Sequence, residues 1–180
     1  MEIKTTPIEG LLILTPKVFY DSRGYFFESY NKIKFKEVGI TDEFLQDNQS
    51  LSHKNAVRGL HFQSPPFDQG KLIRVVKGAV LDVVVDIRKK SATYGHHFAI
   101  ELSEENKIQF WIPSGFAHGF ATLADNTIFE YKCTNVYNKE SENGILWNDK
   151  TLSINWGISN PIISEKDALL PNFTEFNSPF

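Results

Sequence analysis

The segment VRGLHFQ, residues 57–63, and the GKLIRVVKG run that follows gather Arg58, His61, Gln63 and Lys71 into one short stretch, with apolar residues between them. An imidazole can carry a proton near neutral pH, arginine and lysine supply positive charge, and a glutamine offers both an amide donor and an acceptor. Two readings fit such a set: a pair of strands with a solvated polar face, or one wall of a pocket for an anionic, oxygen-rich ligand. Alternation along an extended chain puts His61 and Gln63 on one face with Gly59, and Arg58, Leu60 and Phe62 on the other. A bend at Gly59 or at Pro65-Pro66 would change this, so alternation alone does not place Arg58 beside His61.

A second candidate is IPSGFAHGF, residues 112–120, where Pro113, Gly115 and Gly119 predict a tight irregular passage between two strands with His118 inside it. The spacing P-x-G-x-x-H is similar to the second motif of the cupin superfamily of small β-barrels, in which metal-binding members use this histidine as a ligand beside an earlier H-x-H and a glutamate. Here the earlier segment reads His61-Phe62-Gln63, and no carboxylate follows at the short distance that set requires. Two histidines without a third ligand make a poor site for iron or zinc. The expectation is no catalytic metal.

Other residues are less specific on their own. Tyr131 and Tyr137 lie six apart in EYKCTNVY, an even spacing that would put both on one strand face; buried tyrosines also simply pack and bond their hydroxyls. DSRGYFFESY places Arg23-Gly24 at a turn ahead of Glu28. QDNQS is a dense amide run with Gln46, Asp47 and Asn48, suited to reading sugar or base oxygens and equally to a polar loop. SEKD offers Lys166 and Asp167 late in the chain.

The elements that must position these residues read mostly as strands. Residues 71–78, 79–88, 96–103, 107–113 and 127–137 are short runs rich in Val, Ile, Phe and Tyr, separated by Gly, Pro, Asn and Asp signals. DVVVDIR is apolar on both faces at its centre, as for a strand covered on both sides. Residues 31–39 predict one short helix ending at Gly39, and 164–170 a second, with Ser164 as N-cap and Asp167 at its third position. The tail 171–180 reads as loop. The fold class is all-β, a sandwich or barrel with one or two short peripheral helices.

Composition sets outer bounds. The 180 residues suit one domain, 1–180. A net charge of −3 argues against nucleic acid held by bulk charge, so any anion site must be local. One cysteine, Cys133, allows no disulfide framework and no thiolate zinc site in a single chain. Neither an apolar leader nor a run of roughly 18 apolar residues is present, which predicts a cytoplasmic protein with no membrane partner.

Taken together, eight segments in order between residues 15 and 171 resemble the dTDP-4-dehydrorhamnose 3,5-epimerase family: VFYDSRGYFFESYN, QDNQSLS, VRGLHFQSPP, QGKLIRVVKGAVLDVVVDIRKKSATYG, IPSGFAHGF, EYKCTNVY, ENGILWNDKTLSINW and ISEKDALLP. The resemblance implies a cupin-type jelly-roll barrel, no cofactor and no metal, and a homodimer in which the Arg23–Glu28 segment reaches the neighbouring subunit's site. It implies inversion of C3 and C5 of dTDP-4-dehydro-6-deoxy-D-glucose to give dTDP-4-dehydro-L-rhamnose, through enolates. It assigns His61 as base with Asp167 as its partner, Tyr131 as acid and Lys71 as the cation beside the C4 oxygen. Base and cation would then come from adjacent strands of one barrel. It assigns substrate contacts to Arg23, Glu28, Gln46, Asp47, Asn48, Arg58, His118, Glu142 and Lys166, and stacking on thymine to Tyr137. Phe62 stands where many relatives carry Tyr, a change of little consequence if that ring faces the core. The rival readings are a C3-only or C5-only epimerase, a ketoisomerase, and a non-catalytic sugar-nucleotide binding module.

The implied chemistry needs such residues. Both inverted carbons flank a ketone, so each proton can leave to give an enolate without a redox cofactor. An α-proton with pKa on the order of 20, set against about 6.5 for histidine, leaves a gap of about 18 kcal/mol. A base cannot close that gap alone. Fixed positive charge or donors at the enolate oxygen are the larger requirement.

Overall fold

The computed structural model describes residues 1–180. In chain order the elements are β1 (Glu2–Thr5), β2 (Leu12–Thr15), β3 (Phe19–Asp21), β4 (Gly24–Phe26), α1 (Lys32–Glu37), β5 (Gln46–Ser52), β6 (Val57–Gln63), β7 (Lys71–Lys77), β8 (Ala79–Asp86), β9 (His97–Ser103), β10 (Gln109–Ile112), β11 (Phe116–Thr122), β12 (Thr127–Cys133), β13 (Glu142–Gly144) and α2 (Glu165–Ala168). Two antiparallel sheets face each other. One has six strands in the order β1-β2-β10-β7-β12-β5, the other five in the order β13-β6-β11-β8-β9, and the small β3–β4 hairpin stands apart. The architecture is a double-sheet jelly roll of cupin type, all-β with two short helices as expected.

Alternation sorts the side chains into three apolar layers. Ile73, Val75, Val84, Phe110, Phe120 and Phe129 meet between the sheets. Leu60, Phe62, Val83, Val85 and Ala117 point the other way from the five-stranded sheet, where Ile145, Leu152, Trp156 and three phenylalanines of residues 173–180 cover them. Leu14, Leu72 and Trp111 on the outer face of the six-stranded sheet are covered by Phe35 of α1 and by Ile40. This explains the apolar run in β8: Val83, Val84 and Val85 are all buried because both faces of its sheet are covered.

Both helices form where the sequence places them. Asn31 caps α1 by accepting from the amides of Ile33 and Lys34, and Ser164 Oγ accepts from the Asp167 amide 3.1 Å away to start α2. Three expectations need correction. The passage around His118 is irregular only at 113–115; from Phe116 onward it is a fully buried strand, since layers cover both its faces. The strand carrying Tyr131 ends at Cys133, so an even spacing says nothing about Tyr137. Lys71 and His61 do not come from adjacent strands: β6 belongs to the five-stranded sheet and β7 to the six-stranded one.

Candidate active site

The two sheets enclose a cavity of about 510 Å³ whose walls include Arg58, His61, Lys71, His118, Tyr131 and Asp167. His61 and His118 are cross-strand partners on β6 and β11. Lys71 and Tyr131 come from β7 and β12 of the opposing sheet. The imidazole and the phenol therefore stand on facing walls of one space.

A bulge brings Arg58 to the same wall as His61. On β11, His118 pairs with His61 and Phe120 with Arg58, so three steps along β6 match two along β11 and the alternation slips by one. Gly59 permits this. Its φ is +133°, and a Cβ there would lie 2.5 Å from the Gly119 Cα. Two glycine backbones in close approach are what allow a cation and an imidazole three residues apart to share a face. The Arg58 Nε donates to Ser52 Oγ at 3.0 Å, which fixes the guanidinium along the cavity wall.

His61 Nε2 lies 2.7 Å from Asp167 Oδ1, with the imidazole 30% exposed toward the cavity and the carboxylate 5% exposed behind it. Asp167 Oδ2 also accepts from the Gly59 amide at 3.2 Å. Burial pushes the Asp167 carboxyl up, but the hydrogen bonds and charge from His61, with those from Gly59 and Ser164, outweigh it and hold the group below its usual range. An ionised carboxylate can only accept, so Nε2–H of His61 donates to Asp167, and Nδ1 is the ring nitrogen not engaged by it.

A second imidazole–carboxylate pair was not read from the sequence. His118 Nε2 lies 2.8 Å from Oδ2 of Asp82, whose side chain is fully buried. Burial pushes the Asp82 carboxyl up, against the lowering effect of His118 and Lys71. The signal was present: an aspartate within an otherwise apolar doubly covered strand is costly unless a partner meets it.

On the facing wall, burial pushes the Lys71 ammonium down, opposed by the charges of Cys133, Asp82 and Glu142. Its Nζ lies 5.8 Å from the centroid of the Tyr131 ring. Burial pushes the Tyr131 phenol up, so it remains a protonated donor at neutral pH.

At the rim, Lys166 Nζ and Tyr137 Oη both meet Glu142 Oε2, at 2.5 and 2.8 Å, and the Tyr137 amide donates to Gln46 Oε1 at 2.8 Å. Gln46, Glu142, Tyr137 and Lys166 thus form one connected edge, with the Tyr137 side chain largely exposed. Asn48 joins from β5, its Nδ2 3.5 Å from Cys133 Sγ. Asp47 does not join them; the alternation of β5 turns it outward, where it pairs with Lys132 at 2.9 Å. Arg23 and Glu28 also stand outside this chain's cavity. Arg23 sits at the tip of the β3–β4 hairpin, paired with Asp21 at 2.6 Å, and Glu28 pairs with Lys34 at 2.8 Å. No group of three or more His, Cys, Asp and Glu side chains is arranged to hold a metal ion.

Fold and cavity together define a class, a cupin-type jelly roll whose enclosed site is furnished for proton transfer. The family model for dTDP-4-dehydrorhamnose 3,5-epimerase matches residues 5–175. The enzyme of that name from Shigella flexneri is 53% identical over 168 residues, covering 93% of each chain. The one from Salmonella typhimurium is 53% identical over 173 residues, covering 95% of this chain and 94% of the relative. A crystal structure of a dTDP-6-deoxy-D-glucose-3,5-epimerase from Legionella pneumophila in complex with dTDP-4-keto-L-rhamnose superposes with a TM-score of 0.94 at 46% identity, covering 98% of this chain and 94% of that one. The chain belongs to the dTDP-4-dehydrorhamnose 3,5-epimerase family.

Proposed function

We propose that this protein inverts C3 and C5 of dTDP-4-dehydro-6-deoxy-D-glucose to give dTDP-4-dehydro-L-rhamnose. The observation that carries the reading is the facing arrangement: a carboxylate-backed imidazole on one sheet and a protonated phenol on the other, across one cavity. Removal of a proton from one side of a ring carbon and return from the opposite side inverts that carbon.

In this mechanism His61 takes the proton α to the C4 ketone, and Asp167 steadies the imidazolium that results. Lys71 and His118 face the C4 oxygen as charge accumulates there. Burial makes the Lys71 ammonium costly, so it gains from an anionic oxygen arriving beside it. Tyr131 returns a proton from the facing wall. The same groups act on the carbon at the other side of the ketone. Arg58 takes diphosphate oxygens with its planar fork, and Tyr137 stacks on thymine at the rim, where Gln46, Asn48, Glu142 and Lys166 add polar contacts.

The active unit in this reading is a homodimer. The β3–β4 hairpin exposes Phe19, Tyr20, Tyr25 and Phe26, a patch suited to burial against a second copy. Exchange of this N-terminal arm would carry Arg23 and Glu28 to the neighbouring site, while Asp47 stays with β5 in its own chain. No helix is long and apolar enough to cross a membrane, and the expected compartment is the cytoplasm.

Incubation with the 4-keto-6-deoxy sugar nucleotide in heavy water, followed by NMR, tests the function. Deuterium at both C3 and C5 with formation of the L-sugar is expected. Label at a single carbon would make the protein a mono-epimerase, and no label at either would end the reading.

A further inference from the structure

The inner face of β5 carries a polar row, Gln46, Asn48, Ser50 and Ser52, along the cavity side of the six-stranded sheet. Three of the four are engaged within the protein. Gln46 Nε2 donates to Asn48 Oδ1 at 3.0 Å, Asn48 Nδ2 to Cys133 Sγ at 3.5 Å, and Ser52 Oγ accepts from Arg58 at 3.0 Å. Ser50 lines the cavity, yet its Oγ is buried with no hydrogen-bond partner. Its cross-strand neighbour is Phe129, whose ring stacks on Phe120 at 4.2 Å and offers no acceptor. A hydroxyl left unpaired beside aromatic carbon is a net cost to the folded protein, which an alanine there would avoid. Such a group makes physical sense when its partner arrives with a ligand.

The row also indicates which part of the ligand that is. Side chains two apart on a strand are separated by about 6.6 Å. Ser50 therefore sits midway between Ser52, which holds the diphosphate-binding Arg58, and Asn48, the cross-strand partner of Tyr131. On a hexose linked through C1 to diphosphate, the hydroxyl lying between the phosphate and the reacting carbons is the one on C2.

We propose that Ser50 is a specificity-determining residue that hydrogen-bonds the C2 hydroxyl of the hexose and so selects 2-hydroxy over 2-deoxy sugar nucleotides. The inference rests on the function proposed above and deepens it. The serine hydroxyl is neutral, so the contact is a hydrogen bond between uncharged groups.

A chemical double-mutant cycle tests it. Affinity is measured by calorimetry for dTDP-glucose and dTDP-2-deoxyglucose, with the wild-type protein and with Ser50→Ala, which removes only Oγ. The wild type should favour the 2-hydroxy ligand about tenfold, the scale of one hydrogen bond, and Ser50→Ala should bind the two ligands alike. Melting of the ligand-free proteins supplies a control, since removal of an unpartnered hydroxyl should leave Ser50→Ala at least as stable as the wild type. Equal wild-type affinity for both ligands, an unchanged preference in Ser50→Ala, or a marked loss of stability in the free variant would each overturn the proposal. These outcomes are separate from failure of the epimerase reading, which shows as absent deuterium exchange by the wild type on the keto sugar.

Discussion

At the scale of single residues, the division of labour between His61 and Tyr131 has separable consequences. Replacement of His61 by alanine should lower solvent exchange at C3 and C5 by at least about 10²–10⁴-fold, the range of a general base, with dTDP affinity near wild type; retained exchange in heavy water would remove His61 from that role. Tyr131→Phe should reduce formation of inverted product more than it reduces exchange, because proton removal precedes the step the phenol serves. Equal loss of both rates would argue against the acid assignment. Much of this site was legible from residue types and order: His61, Lys71, His118, Tyr131 and Asp167 all reach one cavity. For Asp82 the sequence signals only that a buried partner is needed; which residue meets it, a histidine 36 positions away, is set by the pairing of β8 with β11.

At the scale of elements, the bulge on β6 decides whether Arg58 can work with His61. Strict alternation puts these two side chains on opposite faces, and only the slip opposite β11 reconciles them. Nothing in VRGLHFQ beyond the glycine announces that slip, since it depends on the backbone of Gly119 some 60 positions away. Gly59→Ala should therefore be damaging on two counts. Its Cβ would lie 2.5 Å from the Gly119 Cα and 2.9 Å from the His118 carbonyl oxygen, at a φ of +133°. A loss of about 2–4 kcal/mol in denaturant unfolding is expected; a change under about 0.5 kcal/mol would show that the strand pair can relax at this point. The opposed placement of β6 and β7 was similarly hidden, because a short connection is as compatible with crossing between sheets as with pairing in one. Strand identities were clearer than strand neighbours, since periodicity is local and pairing is not.

At the scale of the whole molecule, the expected exchange of N-terminal arms makes a mixing experiment informative. His61→Ala and Arg23→Ala proteins, each poorly active alone, should recover up to about a quarter of wild-type activity when unfolded together and refolded, because mixed dimers carry one site with both residues intact. No recovery would place Arg23 in its own chain's site or in none. Stability at low pH has a different centre. Asp86 is fully buried and accepts from Ser91 Oγ at 2.6 Å, Thr93 Oγ1 at 2.7 Å and the Arg88 guanidinium at 2.7 Å, while Arg88 also donates to the Glu9 carbonyl. Burial pushes this carboxyl up, but the bonds from Arg88, Ser91 and Thr93 outweigh it and bring its pKa down to about 2. A lowered folded-state value contributes stability that is present above about pH 4 and disappears as pH falls toward 2. From the size of that shift the contribution is on the order of 2 kcal/mol. Asp86→Asn should be less stable at pH 7 and show a flatter decline between pH 4 and 2 in acid titrations followed by circular dichroism.

The pair formed by His61 and Asp167 spans 106 positions of sequence. A ribosome that has added His61 must add 106 further residues to reach the carboxylate paired with it. A version of the protein cut short before α2 would lack that carboxylate, and on the function proposed above it should exchange substrate protons with solvent far more slowly than the full chain.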